Sequence, residues 1–238
     1  MGRLGNILFE VASTIGVAKK LGIEYAFNEY PKWPFTSTLP VTNKFPNHRL
    51  NEYPNMGFRD EVYNQGRNFT IEGYFQCPKY FEDIKHDLIQ NIFVFSSITE
   101  KEILKKYQLA LRLDPVSFHV RRTDYVSQGW YTGDHWYLSR MSELEGKLVL
   151  VFSDDIHYCM ELFKDFKNIL YVHEDEVNSL CLMSKCKHHV ISNSTFSYWG
   201  AFLSQSDYVI YPDRFDVINN GACTFPNKDF YPVNWLMK

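Results

Sequence analysis

The stretch KLVLVFSDDIHYCMELFKDFKNILYVH, residues 147–173, changes its pattern twice. A short apolar run ends in two aspartates, a helical segment follows, and a second apolar run ends in a histidine. A short apolar run bounded by polar residues is typical of a strand that is buried on both faces. The stretch therefore predicts a strand–helix–strand unit whose two strands run parallel.

The same alternation continues on both sides of this unit. Further strands are predicted at VSFHV, HHVIS and DYVIY, and further helices at EVNSLCLMSKC and STFSYWGAFLSQ. Strands that alternate with helices at this spacing favour a parallel sheet with helices on both faces, an α/β fold. Because the pattern begins after Pro115, we expect one domain over residues 1–115 and a second over 116–238.

The first 115 residues are less regular. LGNILFEVASTIGVAKKLG has apolar residues at three- and four-residue spacing, which predicts a helix that stops at Gly22. IEYAF and FTIEGYFQC predict strands, PKYFEDIKHDLIQNIF predicts a helix, and another helix is expected over about 98–111. The proline- and asparagine-rich residues 31–66 predict a long irregular surface region.

Composition excludes several classes of protein. The chain has 238 residues, of which 45% are hydrophobic, so it can build an ordinary core. Its 25 Lys+Arg against 28 Asp+Glu give a net charge of −3, and we expect no nucleic-acid partner. No apolar run reaches the length of about 18 residues that a membrane span needs. The five cysteines form no paired metal-binding motifs, and reduced thiols in a cytoplasmic protein are the simplest interpretation.

Polar residues gather after the predicted strands, where a parallel sheet binds its ligands. They are Arg121, Arg122, Thr123 and Asp124; Asp154 and Asp155; Glu174 and Asp175; and Asn193, Ser194, Thr195, Phe196 and Ser197. Adjacent guanidinium groups suit a diphosphate, because each can bind two phosphate oxygens at once. The helix start at Ser194 and Thr195 offers hydroxyls and backbone N–H groups to the same anion.

Each of these features also has a purely structural interpretation. Arg121 and Arg122 can form ion pairs with Asp124 or Asp154, and Ser194 and Thr195 can simply cap their helix. The gathering of both motifs at one edge of the sheet favours binding. The sequence has neither GxxxxGK[ST] nor GxGxxG after a strand, which disfavours nucleoside triphosphatases and dinucleotide dehydrogenases. No metal ligands are predicted, since one aspartate pair is more typical of a helix cap.

Several blocks of this sequence resemble, in the same order, the alpha-1,2-fucosyltransferases of glycosyltransferase family 11. They are GRLGN, EGYFQCPKYF, FHVRRTDYV, VFSDD, LCLMSKCKHHVISNSTFSYWGAFL and the final YPVNWLMK. The HVRR and NSTFSYWG blocks are specific, and HVRRTD is also similar to the alpha-1,6 and protein O-fucosyltransferases.

The resemblance implies a GT-B-type fold, in which two Rossmann-like domains enclose a cleft. The first domain would lie on the acceptor side and the second would bind GDP-fucose. The resemblance further implies inversion at the fucose carbon, an acceptor with a terminal galactose, and neither a cofactor nor a required metal.

The resemblance also assigns roles to residues. Arg121 matches the arginine that holds the donor's phosphates, with His119 beside it. Thr195, Phe196 and Ser197 match the helix start that contacts the donor, and Asn6 with its glycine turn matches a loop that faces the donor. Asp154 and Ser194 join this donor-binding set from the same sheet edge, and Asp124 is the candidate base, although it can instead orient Arg121. Acceptor-binding residues are not assigned.

The sequence departs from the family's pattern at four places. Gly2 follows Met1 directly, where the family has a strand, and Ile7 replaces a glutamine. Ser179 stands where many members carry an aspartate that could contact guanine, and Gly129 where alpha-1,6 relatives carry a glutamate proposed as base. A catalytically weakened sugar-nucleotide- or glycan-binding protein of the same fold therefore stays open as an alternative.

Overall fold

The computed structural model describes residues 3–30, 32–52, 57–213 and 229–238. The chain divides into two compact units. The first comprises Met1–Ser96 with Pro226–Val233, and the second comprises Ser97–Phe225 with Asn234–Lys238.

The helices of the described residues are α1 (Leu4–Leu21), α2 (Lys85–Asp87), α3 (Ser97–Lys106), α4 (Gln108–Leu111), α5 (Thr123–Ser127), α6 (Asp134–Ser142), α7 (Ile156–Leu162), α8 (Glu176–Met183) and α9 (Thr195–Ser204). The strands are β1 (Arg49–Asn51), β2 (Thr70–Glu72), β3 (Val116–Val120), β4 (Val149–Ser153), β5 (Ile169–Tyr171), β6 (His188–Val190), β7 (Tyr208–Tyr211) and β8 (Leu236–Met237). Short 3-10 helices lie at Asp60–Asn64, Pro78–Tyr80 and Glu82–Ile84, and a π-helical turn lies at Leu88–Ile92.

The division between the units falls at Ser96, not near Pro115 as the sequence pattern suggests. The reason is the packing of α3, which buries Ile103 within the second unit. Lys185 Nζ lies 2.5 Å from Glu100 Oε1 on α3, so the helix is also tied there by an ion pair. Residues 97–115 therefore belong with the parallel sheet that follows them.

Helix α1 organises the first unit and confirms the helix predicted there. It ends at Gly22, whose φ of 63° is the left-handed geometry that glycine adopts without strain. At Gly16 an added Cβ would lie 1.9 Å from the carbonyl oxygen of Tyr80, so only glycine allows this close contact. The helix therefore packs directly on the turn at Pro78–Tyr80.

The strands and the second helix predicted in the first unit are formed only in part. β1 and β2 make a short parallel ladder, whereas IEYAF contributes a single bridge between Phe27 and Val41. That segment and residues 70–74 both line a cavity of about 860 Å³, and among the described residues no continuous strand pairs with the segment. The helix expected after Cys77 is broken into short turns, because Phe81 leaves helical geometry at φ −140° while its ring is fully buried. The described residues of this unit thus do not show the expected Rossmann-like sheet.

The second unit contains a six-stranded parallel sheet in the order β5-β4-β3-β6-β7-β8. β3 lies at its centre, with Val116 opposite both Val149 of β4 and His188 of β6. All five strands predicted after Pro115 are present, and the α/β class is confirmed. Counted from β3 as strand 1, the order is 3-2-1-4-5-6, which is that of a doubly wound dinucleotide-binding sheet.

The two faces of β3 meet different layers. Val116, Phe118 and Val120 belong to a buried cluster with residues of α6 and α7. His119 points the other way, and its ring centroid lies 5.8 Å from that of Phe196 on α9. This alternation is the two-residue period of a strand, and it places His119 beneath the start of α9.

Across the described ranges, no helix has both the length and the apolar character needed to cross a lipid bilayer.

Candidate functional site

The strand order of the second unit defines one crevice at the carboxyl edge of its sheet. From β3 the chain continues to β4 on one side, and from β6 it continues to β7 on the other. Connections that leave neighbouring strands in opposite directions open a gap between them, which is where such sheets bind ligands. Residues 121–124 follow β3 and residues 191–197 follow β6, so both predicted motifs lie at this gap.

Arg121 is held at this edge by two carboxylates. Its Nη2 donates to Asp124 Oδ1 at 2.6 Å, and its Nη1 lies 3.1 Å from Asp154 Oδ2. Its Cζ also lies 5.4 Å from the ring centroid of Tyr125. The side chain is only 13% exposed, so both ion pairs are partly shielded from water. The guanidinium is thereby fixed in one position between two carboxylates.

Asp154 binds the turn that carries the arginines. Its Oδ1 accepts from the backbone N–H of Arg122 at 2.9 Å. Its Oδ2 accepts from the backbone N–H of Thr123 at 3.2 Å and from the Thr123 hydroxyl. Together with the Arg121 ion pair, these bonds make Asp154 the anchor between the ends of β3 and β4.

Asp155 serves the second arginine and the next helix. Its Oδ1 accepts from the backbone N–H of Tyr158 and so caps α7, while its Oδ2 lies 2.8 Å from Arg122 Nη1. Both structural interpretations from the sequence are therefore seen, the helix cap and the arginine–aspartate ion pairs. The carboxylates after β4 are occupied by arginines and backbone N–H groups.

Arg122 stacks on an aromatic platform that the sequence did not reveal. Its Cζ lies 3.6 Å from the ring centroid of Tyr158. The Tyr158 hydroxyl donates to Asp134 Oδ1 at 2.7 Å, and the Tyr131 hydroxyl donates to the same oxygen at 2.6 Å. The available signal was the aromatic run around Asp134 in GWYTGDHWY. Nothing in the sequence indicated that α7 would supply the ring beneath Arg122.

His119 is buried beneath the start of α9. It is 4% exposed, and its Nδ1 lies 2.8 Å from Ser192 Oγ. Burial lowers the pKa of His119 to about 4, although the nearby Asp154 carboxylate opposes this shift. The ring is therefore neutral near pH 7, and it supplies a hydrogen bond and packing but no positive charge.

The start of α9 confirms the capping interpretation of Ser194. Ser194 Oγ accepts from the backbone N–H of Phe196 at 3.4 Å. Ser197 is 1% exposed, and its hydroxyl donates to the Ser194 carbonyl at 3.1 Å, so it holds the turn from inside. Thr195 and Phe196 are only partly buried, and they are the residues of this group that reach the surface.

A loop after α5 is tied across the crevice by Asn193. The side-chain Nδ2 of Asn193 donates to the Trp130 carbonyl at 2.9 Å, and the Tyr125 hydroxyl donates to the Asn193 carbonyl at 3.3 Å. Asn193 thus joins the end of β6 to the chain that follows Arg121. Its place in the NSTFS block marked it as polar, but the partners are far away in sequence.

Asn6 belongs to the first unit, whereas the residues described above belong to the second. It lies in the first turn of α1, whereas the resemblance predicts a loop, because the helix already begins at Leu4. Its Oδ1 accepts from Gln76 Nε2 at 3.2 Å. Gly2 of the same motif lies outside the described residues. The donor-binding role of Asn6 stays a prediction.

The described residues contain no cluster of three or more His, Cys, Asp or Glu side chains that could hold a metal ion. Four cysteines fall within the described ranges, and all four are buried and free of disulfides. Burial raises the pKa of the Cys159 thiol to about 11, so it is not a ready nucleophile. Cys223 lies outside the described residues.

Comparison with known proteins identifies similar sequences. The profile of Glycosyl transferase family 11 matches residues 33–237. An alpha-1,2-colitosyltransferase of Escherichia coli is 30% identical over 68% of this chain, which spans 66% of that relative, just under two thirds of its length. The galactoside alpha-(1,2)-fucosyltransferase 2 of Hylobates lar is 24% identical over 88% of this chain and 69% of its own.

A solved structure with a similar fold is the NodZ alpha-1,6-fucosyltransferase of Bradyrhizobium, crystallised with GDP. The TM-score is 0.61, and the likeness covers 88% of this chain and 91% of NodZ at 14% identity. At this identity the likeness bears on the fold alone, and it agrees with the α/β architecture of parallel strands.

Proposed function

Because this chain belongs to glycosyl transferase family 11, we propose that it transfers fucose from GDP-fucose to O2 of a terminal galactose on a glycan acceptor. The relative from Hylobates lar, named for galactoside alpha-(1,2)-fucosyl transfer, supports the acceptor and the linkage. Inversion at the fucose carbon and independence from metal ions are part of the proposal. The GT-B-type arrangement, with the first domain on the acceptor side, rests on the family resemblance.

The observation that carries the proposal is the position of Arg121. Its guanidinium lies at the carboxyl end of the central strand, at the crevice of a doubly wound sheet in which the neighbouring strand β6 leads into α9. A sugar diphosphate in this crevice would place its charge against Arg121 and the backbone N–H groups of α9. As the bond from fucose to phosphate breaks, negative charge grows on the leaving GDP. A guanidinium already in place stabilises that charge more in the transition state than in the ground state.

The ion pairs of Arg121 indicate how a diphosphate would enter. Asp124 is 40% exposed and Asp154 is 18% exposed, and Asp154 also accepts bonds from Arg122 and Thr123. The more exposed carboxylate is the easier one to displace. In this proposal the diphosphate takes the place of Asp124 on Arg121. The released Asp124 carboxylate then accepts the proton of the attacking acceptor hydroxyl, so donor binding also frees the base.

One comparison favours a second candidate for the donor sugar. The relative at 30% identity is named for colitosyl transfer. Colitose is fucose without its 3-hydroxyl, so both sugars would present the same leaving diphosphate to Arg121.

The test is transfer measured with both donors on the same acceptors. The protein is incubated with GDP-fucose or GDP-colitose and an array of galactose-terminated glycans, and GDP release and product mass are followed. We expect GDP release only when an acceptor is present, and none with an acceptor whose galactose lacks the 2-hydroxyl. Binding of GDP-fucose without transfer to any galactoside would favour the sugar-nucleotide-binding alternative. Transfer to the 2-deoxygalactoside would exclude the linkage.

A further inference from the structure

Arg122 has surroundings quite unlike those of Arg121. The Cζ of its guanidinium lies over the Tyr158 ring at 3.6 Å from the centroid, and Nη1 is paired with Asp155 Oδ2 at 2.8 Å. Arginine is commonly immobilised by packing on an aromatic ring and by hydrogen bonds from the edge of its guanidinium to a carboxylate. The ring contact and the single ion-pair hydrogen bond from Nη1 hold Arg122 against α7, so it is poorly placed to serve as a second ligand for an anion.

Tyr158 is itself held in place. Its hydroxyl and that of Tyr131 converge on Asp134 Oδ1, at 2.7 and 2.6 Å. Burial, followed by the hydrogen bond to Asp134, raises the pKa of Tyr158, so the phenol keeps the proton that it donates. Asp134 opens α6, and its bond to Tyr158 therefore locks the ring between α6 and α7.

The contact at Tyr158 is connected to Arg121 through Asp154. The backbone N–H of Arg122 donates to Asp154 Oδ1 at 2.9 Å, and Asp154 Oδ2 lies 3.1 Å from Arg121 Nη1. A shift of Arg122 would therefore move the carboxylate against which Arg121 is aligned. The chain of contacts runs from Asp134 through Tyr158, Arg122 and Asp154 to Arg121.

We propose that Tyr158, held by Asp134, is a positioning residue that immobilises Arg122 and thereby aligns Asp154 and Arg121 for the diphosphate of a nucleotide. The inference deepens the proposed function and rests on it. The two arginines then divide the work: Arg121 contacts the anion, and Arg122 holds the turn in which Arg121 lies.

The first test compares two substitutions of Tyr158. Tyr158→Phe keeps the ring and loses the bond to Asp134, whereas Tyr158→Leu removes the stacking surface. We expect GDP affinity, measured by isothermal titration calorimetry, to fall about threefold at most in Tyr158→Phe and about tenfold in Tyr158→Leu, the range of a partly buried cation–π contact. Tyr208→Leu, at the opposite end of the sheet, is the matched control and should leave GDP affinity unchanged. Equal affinity in Tyr158→Leu and the wild type would overturn the inference.

The second test distinguishes positioning from general destabilisation by a double-mutant cycle with Arg122→Met. If Tyr158 acts through Arg122, Tyr158→Leu should weaken GDP binding by no more than about twofold when Arg122 is already replaced. Additive losses would mean that Tyr158 acts independently, and the inference would be wrong.

Urea unfolding of the wild type, Tyr158→Leu, Arg122→Met and the double variant separates the inference from the proposed function. A wild-type protein that does not bind GDP would refute the nucleotide donor. The coupling between Tyr158 and Arg122 would still be measured by unfolding, and a coupling of zero would overturn the positioning chain as well.

Discussion

Arg121 and Asp154 form an ion pair, Nη1 to Oδ2 at 3.1 Å, between residues that follow two different strands of one sheet. Asp154 lies after β4 and Arg121 after β3, so the pair forms only when these strands lie side by side in register. The pair aligns the guanidinium with the crevice at which β3 and β6 diverge.

Replacing Arg121 by alanine should abolish most of the turnover and leave the fold intact. The substitution removes one transition-state charge contact, worth about 100- to 1,000-fold in turnover. Asp154 would keep its bonds from Arg122 and Thr123, so the turn should survive. Fucose transfer and thermal melting are measured beside Arg112→Ala, which removes an equal charge from an exposed position of the same unit. Wild-type turnover in purified Arg121→Ala would rule out the diphosphate contact.

Replacing Asp124 by asparagine separates the base from the orienting role. If Asp124 is the base, its replacement should lower turnover by about 100-fold or more. GDP affinity should not fall, because a neutral asparagine competes less than a carboxylate with the diphosphate for Arg121. The asparagine can still accept a hydrogen bond from Arg121, so its alignment should largely persist. Turnover and GDP affinity are measured on the same preparation. A loss confined to GDP affinity would assign Asp124 to orienting Arg121.

Transfer should survive a metal chelator. Asp154 and Asp155 both accept bonds from arginines, and Arg121 supplies the positive charge that a metal ion would otherwise bring to the leaving diphosphate. Initial rates are compared without additive, with excess EDTA, and with EDTA followed by manganese. Loss on chelation and recovery with manganese would contradict this prediction and make the two aspartates candidate ligands.

GDP should protect the protein against heat more than ADP or UDP does. A ligand at about 100 times its dissociation constant adds about 2.7 kcal/mol to the stability of the state that binds it. Guanine must be recognised by hydrogen bonds to its edge. With Ser179 at the position of the family's aspartate, Asn178 or main-chain groups at the start of α8 would supply them, while Asp175 already caps that helix. Melting temperatures are compared at equal nucleotide concentrations, and equal shifts from all three would mean that the base is not recognised.

The stability of the fold should fall as the pH drops from 6.5 toward 4. Burial lowers the pKa of His119 to about 4, below the value of 6.5 of an exposed imidazole. Between these values the unfolded chain binds more protons than the folded one, so the contribution of the neutral imidazole is complete above pH 6.5 and is lost on acidification. His189, whose pKa burial also lowers to about 4, adds to the same effect. Urea unfolding at a series of pH values between about 4.5 and 7.5 covers most of the range between the folded and unfolded pKa values and measures the slope.

His119→Asn, which keeps a polar group near Ser192, should flatten that dependence. The exposed His135→Asn is the control and should leave it unchanged. An unaltered slope in His119→Asn would show that His119 does not carry the pH dependence.

The sequence by itself determined the second unit well. Its central strands β3 and β4 are short apolar runs that are buried on both faces, and such runs are local signals. The positions of Arg121, Asp154 and Ser194 at the carboxyl ends of strands followed from the same runs. The first unit was less predictable. IEYAF has the composition of a strand, but a strand also needs a partner, and composition does not say whether one lies beside it.

The tertiary structure alone decided which charges meet. Arg122 could have faced an anion, yet it stacks on Tyr158, which is 36 positions further along the chain and reaches it because α7 follows the neighbouring strand. His119 reads as a polar residue at a strand end, but the two-residue period turns it inward under α9, where burial keeps it neutral. Sequence patterns record local burial and chain direction. The pairing of Arg121 with Asp154 and of Arg122 with Tyr158 depends on strand order, because ion pairs and stacking act only over a few ångströms between groups that folding brings together.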